Sequence, residues 1–293
     1  MIKTANLTNE IIDLSKELVL LDNVNLPFSS MLLKKGTEKV SSVIVNWTHE
    51  NLDNSRQLAL EGADVSSFQA STRTTDKNIC QIIQKAVSIS NTAQAVSIEA
   101  IADLFAHEVQ NRMLEAKRDL EYYLINGVYT EENGSTPRQM KGLLSWVENS
   151  MVVTSGTGID VQAINSTVKK MREKGTASQR LVMLCNYSMI DRIHALLNNK
   201  VQYIAQVDTF GNSVQTVITP YGNAMIYLVD SIPDDGTAIG LFVNMDYLKL
   251  AELRPLQYHD LATTGDSKKG YIVMENTLKV TNPYAIAKLV ISN

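Results

Sequence analysis

Between Ser97 and Gly127 the chain places apolar side chains at Ile98, Ile101, Phe105, Val109, Met113, Ala116, Leu120 and Leu124. A three-or-four spacing of this kind draws one apolar stripe along a single helix and leaves charge on the rest of its surface. Ser97 stands where a start cap belongs and Gly127 where an end cap belongs. At 1.5 Å per residue the rod is roughly 45 Å long, well beyond the usual three or four turns. A rod that long spans something, and here it lies between two β-rich regions.

With 293 residues the chain can bury a sizeable core in one large or two moderate domains, without crosslinks. Its two cysteines, Cys80 and Cys185, sit in separate apolar segments with no Cys or His at ligand spacing. They read as reduced core residues of a protein that folds in the cytosol. Charged residues make up 20% of the chain and the formal net charge is -4, which argues against a strongly basic nucleic-acid surface. Met1–Leu21 lacks the uninterrupted apolar core of a signal peptide, and no stretch approaches the roughly 18 apolar residues of a membrane span. The expectation is a soluble protein with no membrane partner.

Residues 1–37 read as an arm. Asn9–Leu21 is amphipathic, with Ile11, Ile12, Leu14, Leu18 and Leu21 needing a surface in this chain or a neighbour, and Asn25-Leu26-Pro27 ends any helix there. Residues 38–90 read as an extended hairpin. Val40–Trp47 and Ile79–Ile89 supply its two alternating strands. The polar middle, Thr48–Asp76, carries Glu50, Asp53, Arg56, Glu61, Asp64 and Arg73 and has little to build a core. An isolated two-stranded ribbon is marginal in water, so a partner surface has to supply the missing burial.

After the long helix, the Gly-, Ser- and Pro-containing loop Tyr129–Arg138 and a turn into a strand at Met140–Leu144 mark a boundary. From Asp160, a candidate cap, helix and strand alternate: a helix to Lys174, a strand at Arg180–Cys185 and a helix at Ser188–Leu197. Paired strands follow around Pro220–Asn223, and then a strand at Ala238–Val243. Tyr271–Val280 and Ala285–Ile291 close the chain as two strands divided by Thr281-Asn282-Pro283. The organisation is α+β: arm, flap, spine helix, compact α/β insertion and closing strands.

Catalytic motifs are missing from this pattern. Lys35–Lys39 and Gly156–Gly158 lack the spacing of a phosphate loop, and His49, His107, His194 and His259 form no pair at a metal-binding interval. Neither cysteine has a setting that activates a thiolate, and no Gly-x-Ser-x-Gly elbow occurs. Asp103 and His107, one turn apart, read as a solvated helix face together with Glu108, Arg112 and Glu115. Asp234-Asp235-Gly236 reads as a turn. No catalytic residue, cofactor or metal is expected. The residues singled out are contact candidates between subunits: Trp47 as an aromatic anchor; Arg56, Glu61 and Arg73 on the flap; Arg254, Lys268 and Lys269 in the basic closing segment.

The order of these parts resembles the major capsid proteins of tailed double-stranded DNA phages with the HK97-like fold. Two stretches carry the likeness further. Leu253–Gly270, with its Arg254-Pro255 and Leu261-Ala262-Thr263-Thr264-Gly265-Asp266, followed by Glu275–Val280, is similar to the C-terminal signature of the SU10-type capsid family. The helix bearing Glu108, Arg118, Asp119 and Glu121 and ending in Leu124-Ile125-Asn126-Gly127 resembles that family's spine.

The resemblance implies an HK97-like fold. Its parts would be an extended loop at 38–90, a peripheral domain at 91–148 and 245–293 around a spine helix at 97–127, and an axial domain at 149–244. It also implies self-assembly through hexamers and pentamers into an icosahedral shell that contacts packaged double-stranded DNA non-specifically. A portal and decoration proteins are the implied partners, the particle forms in the host cytoplasm, and the chain ends in the virion. A long charged N-terminal extension of the built-in scaffold type is missing, so scaffolding is expected from a separate protein or from a short arm. An encapsulin-like nanocompartment shell is the alternative function. A soluble enzyme with its site at Asp160–Asn244 would need a convergent polar cluster, which the sequence does not offer.

Overall fold

The computed structural model describes residues 25–95 except 54, 57, 63, 66, 67 and 69, and residues 103–291 except 157, 178–180, 199–215, 263 and 264. The amphipathic segment Asn9–Leu21 lies outside these residues, as do Ser97, Ile98, Ile101, Arg180, Val214, Thr263 and Thr264.

In chain order, helix α1 (Pro27–Lys35) leads into strands β1 (Thr37–Lys39), β2 (Ile44–Asn51), β3 (Thr72–Ile79) and β4 (Gln81–Ser90). Helices α2 (Asn91–Ala95), α3 (Leu104–Asn126) and α4 (Leu143–Trp146) come next. Then follow β5 (Val152–Ser155), α5 (Val161–Glu173), β6 (Leu181–Cys185) and α6 (Tyr187–Asn198). Strands β7 (Thr216–Thr219), β8 (Gly222–Leu228), β9 (Ala238–Val243), β10 (Leu248–Asp260), β11 (Ser267–Val280) and β12 (Ile286–Ile291) complete the described chain.

Three sheets result: a four-stranded sheet in the order β1-β10-β11-β4, a six-stranded sheet in the order β5-β12-β9-β6-β8-β7, and a separate ribbon of β2 and β3. The spine α3 packs on β4 and β11. One face of the six-stranded sheet is covered by Ile164, Val168 and Met171 of α5 and by Met189 and Ile193 of α6, which meet Met183, Phe242 and Leu289 in one core cluster. The other face contributes Leu184, Leu241 and Val243 to a second cluster. There they join Leu120, Leu124 and Ile125 of the spine and Leu250, Met274 and Leu278 of the four-stranded sheet. A continuous core therefore couples the two sheets through the spine.

Several expectations are corrected. The described spine is α3, 23 residues starting at Leu104, about 35 Å long. Its start is capped by Asp103, whose exposed carboxylate accepts from Ala106 N at 3.1 Å and from the Gln94 amide at 2.9 Å, so this member of the solvated face also serves as the helix cap. Gly127 does end the helix, its N–H reaching Tyr123 O at 2.9 Å. The reason for glycine is close approach, since a Cβ there would stand 2.3 Å from Met140 O. The turn at Met140–Leu144 runs into a short helix, α4, and not into the expected strand. Asp160 occupies the N-cap position of α5, but its side chain makes no capping bond.

The return strand of the flap is β3 and not the alternating segment Ile79–Ile89. β2 pairs antiparallel with β3, Ile44↔Ile79 to Asn51↔Thr72, whereas β4 pairs with β11 in the other sheet. The chain changes sheets at Cys80, whose N–H bonds Val43 O at 2.8 Å. The apolar alternation read in Ile79–Ile89 marks a strand whose one face lies on the core; β3, Thr-Arg-Thr-Thr-Asp-Lys-Asn-Ile, is largely exposed and needs no such pattern.

The closing strands are likewise not a pair. β11 runs antiparallel to β10, a 13-residue strand that includes Leu253–Asp260 of the C-terminal signature, while β12 inserts between β5 and β9. Thr281-Asn282-Pro283 breaks the chain between sheets, and Ile-Ala-Lys-Leu-Val-Ile suits a central strand covered on both faces.

Both cysteines are free and buried, as expected; burial pushes the Cys80 thiol up to about 11 and raises that of Cys185 as well. The Asp234–Gly236 turn is confirmed. Asp234 turns back to accept Ser188 N at 3.1 Å at the start of α6, and Gly236 takes φ 90°. Asn186 is fully buried and bonded to Pro233 O, Thr237 O, Met189 N and Ile239 N, which ties the start of α6 to the bend before β9.

Candidate assembly interface

The ribbon of β2 and β3 leaves the body and ends in residues 52–71. Among the described residues of that tip Leu58, Leu60, Val65 and Phe68 are each at least 73% exposed, and Leu52 is 80% exposed. Composition made this segment look merely polar. The structure instead presents several large apolar side chains to water at the end of a two-stranded arm, with Arg56 and Glu61 exposed among them. Full burial of one such side chain is worth about 1.5–3 kcal/mol, so an assembled neighbour would gain from covering them.

The root of the ribbon is fixed. Trp47 is buried and packs on Trp146 of α4 with ring centroids 5.6 Å apart, so this candidate anchor serves the chain's own core. Asn78, fully buried near the end of β3, donates to Leu278 O at 2.7 Å and Lys141 O at 3.0 Å and accepts from Lys141 N at 2.8 Å. On the inner face His49 Nδ1 meets Asp76 Oδ2 at 3.2 Å. Arg73 is exposed and pairs with Glu50 at 3.3 Å, an ion pair worth at most about 1 kcal/mol. The lever is therefore rigid where it joins the body and apolar where it ends.

The basic closing segment is divided among different tasks. Arg254 pairs across the β10–β11 bulge with the buried Glu275, whose second oxygen takes Arg138 at 3.0 Å. Two guanidinium groups thus neutralise one carboxylate that burial alone would make costly. Lys268 lies over the Phe105 ring at 4.3 Å, at the start of the spine, and Lys269 is half-buried in β11. On the spine, Arg112 bridges Glu108 at 3.2 Å and Glu115 at 2.5 Å, and Asp119 holds Lys85 of β4 at 2.6 Å. The candidates are not gathered in one place: Arg56, Glu61 and Arg73 share the flap, and Arg254, Lys268 and Lys269 share the long hairpin.

Two tethers of the arm were not foreseen. Glu121, with 0% exposure, accepts from Phe28 N at 2.9 Å and Ser29 N at 2.5 Å, capping α1 from the spine because Leu26 at its own N-cap has no side-chain acceptor. Burial pushes the Glu121 carboxyl up against the opposing pull of those hydrogen bonds. A signal was present: position 121 lies beside Leu120, Leu124 and Ile125 on the packed side of the helix, and Pro27 starts a helix that lacks a capping residue. At the other end of α1, Lys35 Nζ donates to Met245 O at 2.5 Å, Asp246 O at 3.0 Å and Leu248 O at 2.9 Å. Burial lowers its pKa. Lys35→Met removes three charge-assisted hydrogen bonds at a partly exposed site and is expected to lower the stability of the chain by about 1–3 kcal/mol in a denaturant titration; an unchanged midpoint would show that water replaces the lysine freely.

Among the described residues no group of three or more His, Cys, Asp or Glu side chains could hold a metal ion, and no helix is long and apolar enough to cross a membrane.

The profile of the SU10 major capsid protein family matches residues 1–292. This chain belongs to that family. Solved structures with the same fold include the capsid of cyanophage A-1(L), TM-score 0.74 at 12% identity, covering 98% of this chain and 97% of that one. The capsid of a native GTA particle aligns with TM-score 0.68 at 12% identity, covering 98% and 96%. The SrpI encapsulin of Synechococcus elongatus PCC 7942 aligns with TM-score 0.64 at 12% identity, covering 95% and 91%. Comparison with curated protein sequences gives no significant match. The fold is the HK97-like fold of phage capsids, and the protein is a capsid component of the family's kind.

Proposed function

We propose that many copies of this chain assemble, through pentamers and hexamers, into the icosahedral head shell that encloses a phage's double-stranded DNA. The observation that carries the reading is the family match over nearly the whole chain. The exposed apolar tip of the flap supports it, because a side chain left in water on one copy becomes burial between copies. In this reading residues 1–37 form the arm and the β2–β3 ribbon with its tip forms the extended loop. The four-stranded sheet with the spine is the peripheral domain. The axial domain comprises residues 149–244 with β12 added to it, since β12 lies inside the six-stranded sheet.

The protein acts through interfaces and not as an enzyme. Arg56, Glu61, Arg73, Arg254, Lys268 and Lys269 are the contact candidates that keep an exposed or half-exposed position, Arg254 while paired to Glu275. A portal, a separate scaffolding protein and decoration proteins are the other partners proposed. Assembly takes place in the host cytoplasm and the product is the virion. A net charge of -4 fits a wall that holds DNA without gripping it.

The likeness to an encapsulin supports a second reading, a nanocompartment shell around a cargo enzyme, but it rests on fold alone. Electron microscopy of the purified protein, alone and with its scaffolding protein, tests the first reading. Closed icosahedral shells are expected, and persistent monomers under all assembly conditions would overturn it. Particles isolated from producing cells separate the two readings: packaged DNA supports the phage head, and a protein cargo without DNA supports the nanocompartment.

A further inference from the structure

The core between the two sheets stops short of the edge of the six-stranded sheet. Val182 and Leu184 of β6 and Ile239, Leu241 and Val243 of β9 are buried in it, and Tyr227 of β8 packs against its margin. The pairing of Thr216 with Met225 and of Ile218 with Asn223 puts Ile218, Met225 and, two residues on, Tyr227 on that same face. Val217, Ala224 and Ile226 look the other way, into the cluster under α5 and α6. Beyond Tyr227 the face is bare: Ile218 is 79% exposed and Met225 54%. Tyr227 Oη lies 4.0 Å from Met225 Sδ, so the bare patch and the core margin are continuous.

The chain enters α1 from beside this patch. Asn25, the first described residue, donates through Nδ2 to Leu228 O at the end of β8, at 3.3 Å. Twenty-four residues precede it, and among them Asn9–Leu21 carries Ile11, Leu14, Leu18 and Leu21 at the three-or-four spacing of one apolar face. Asp22–Val24 can span about 10 Å when extended, and Met225 lies about 10 Å from Leu228 along the strand. The segment that needs a surface therefore begins within reach of the surface that needs a cover.

We propose that Asn9–Leu21 docks on the Ile218–Met225–Tyr227 face of its own chain, extending the core across the outer strands of the six-stranded sheet. The inference goes beyond the shell reading and does not depend on it. A photoreactive benzoylphenylalanine placed at Met225, and separately at Ile218, in the full-length chain tests it, with light and heavy isotope-labelled chains mixed before irradiation. Crosslinked peptides are expected to join either probe to residues 9–21 of a chain with the same label, and Leu14→Asp with Leu18→Asp is expected to cut their yield at least fivefold. Crosslinks to residues 199–215, crosslinks that join light to heavy chains, or none to residues 9–21 from either position would overturn the proposal.

Discussion

Replacing Leu52–Ser71 by a two-residue Asn-Gly turn is expected to give a folded subunit that no longer closes shells. Asn51 and Thr72 are directly paired at the end of the β2–β3 ladder, so a type I′ turn can join them without disturbing the ribbon. The described residues of the replaced segment contribute no side chain to the buried clusters, whereas Trp47 and Asn78 at the root stay in place. Thermal unfolding of the variant should therefore fall within about 4 °C of the parent, a shift of less than about 1 kcal/mol for a chain of this size. Assembly should fail, because the variant has lost Leu58, Leu60, Val65 and Phe68, each worth about 1.5–3 kcal/mol when a neighbour covers it. A milder pair, Leu58→Ser with Phe68→Ser, should raise the concentration needed for assembly without changing the melting temperature. Normal shells from the turn variant, seen by electron microscopy, would remove the flap from the assembly mechanism.

The contrast between flap and spine explains what was legible. The spine shows in sequence because its packing is local and periodic: Phe105, Ala116, Leu120 and Leu124 are buried as their spacing requires. The order of arm, flap, spine and α/β insertion was also readable, since each change of hydrophobic period marks a change of element. Pairing was not. β3 is a polar strand in a ribbon largely open to water, so nothing in its residues distinguishes it from a loop, and its neighbour β4 carried the alternation that invited the wrong partner. β12 reads as a strand from its residues, but which sheet receives it depends on contacts more than 40 residues away in sequence, with β9 and β5. Trp47 illustrates the same gap at the interface. Its residue type suits a hot spot, and only the position of Trp146 decides that it is core.

Glu121→Ala is expected to cost about 2–5 kcal/mol, the largest loss of stability from any single charged side chain of the spine. The carboxylate is fully buried and accepts both Phe28 N and Ser29 N, at a helix start whose own N-cap residue, Leu26, accepts nothing. Removing it leaves two buried donors orphaned, each about 1–3 kcal/mol, beneath the buried Phe28 and Leu32 that seat α1 in the core. Glu121→Gln keeps the shape and one acceptor and should cost less, about 1–2 kcal/mol near neutral pH.

The comparison of these two proteins across pH separates burial from hydrogen bonding. Burial raises the folded pKa of Glu121, so the folded chain keeps a proton that an unfolded glutamate, ordinarily titrating near about pH 4.3, gives up. The stability linked to that proton is complete below the unfolded pKa and is lost as the pH rises through the folded one. Denaturant midpoints should therefore show the parent's advantage over the non-titrating Gln variant shrinking as the pH is raised from about 4 toward neutrality, then levelling. An advantage that grows over the same range would mean that the α1 amide groups favour the carboxylate more than burial opposes it. In that case the tether between arm and spine would be an electrostatic one that strengthens on ionisation, and low pH would loosen the arm instead of securing it.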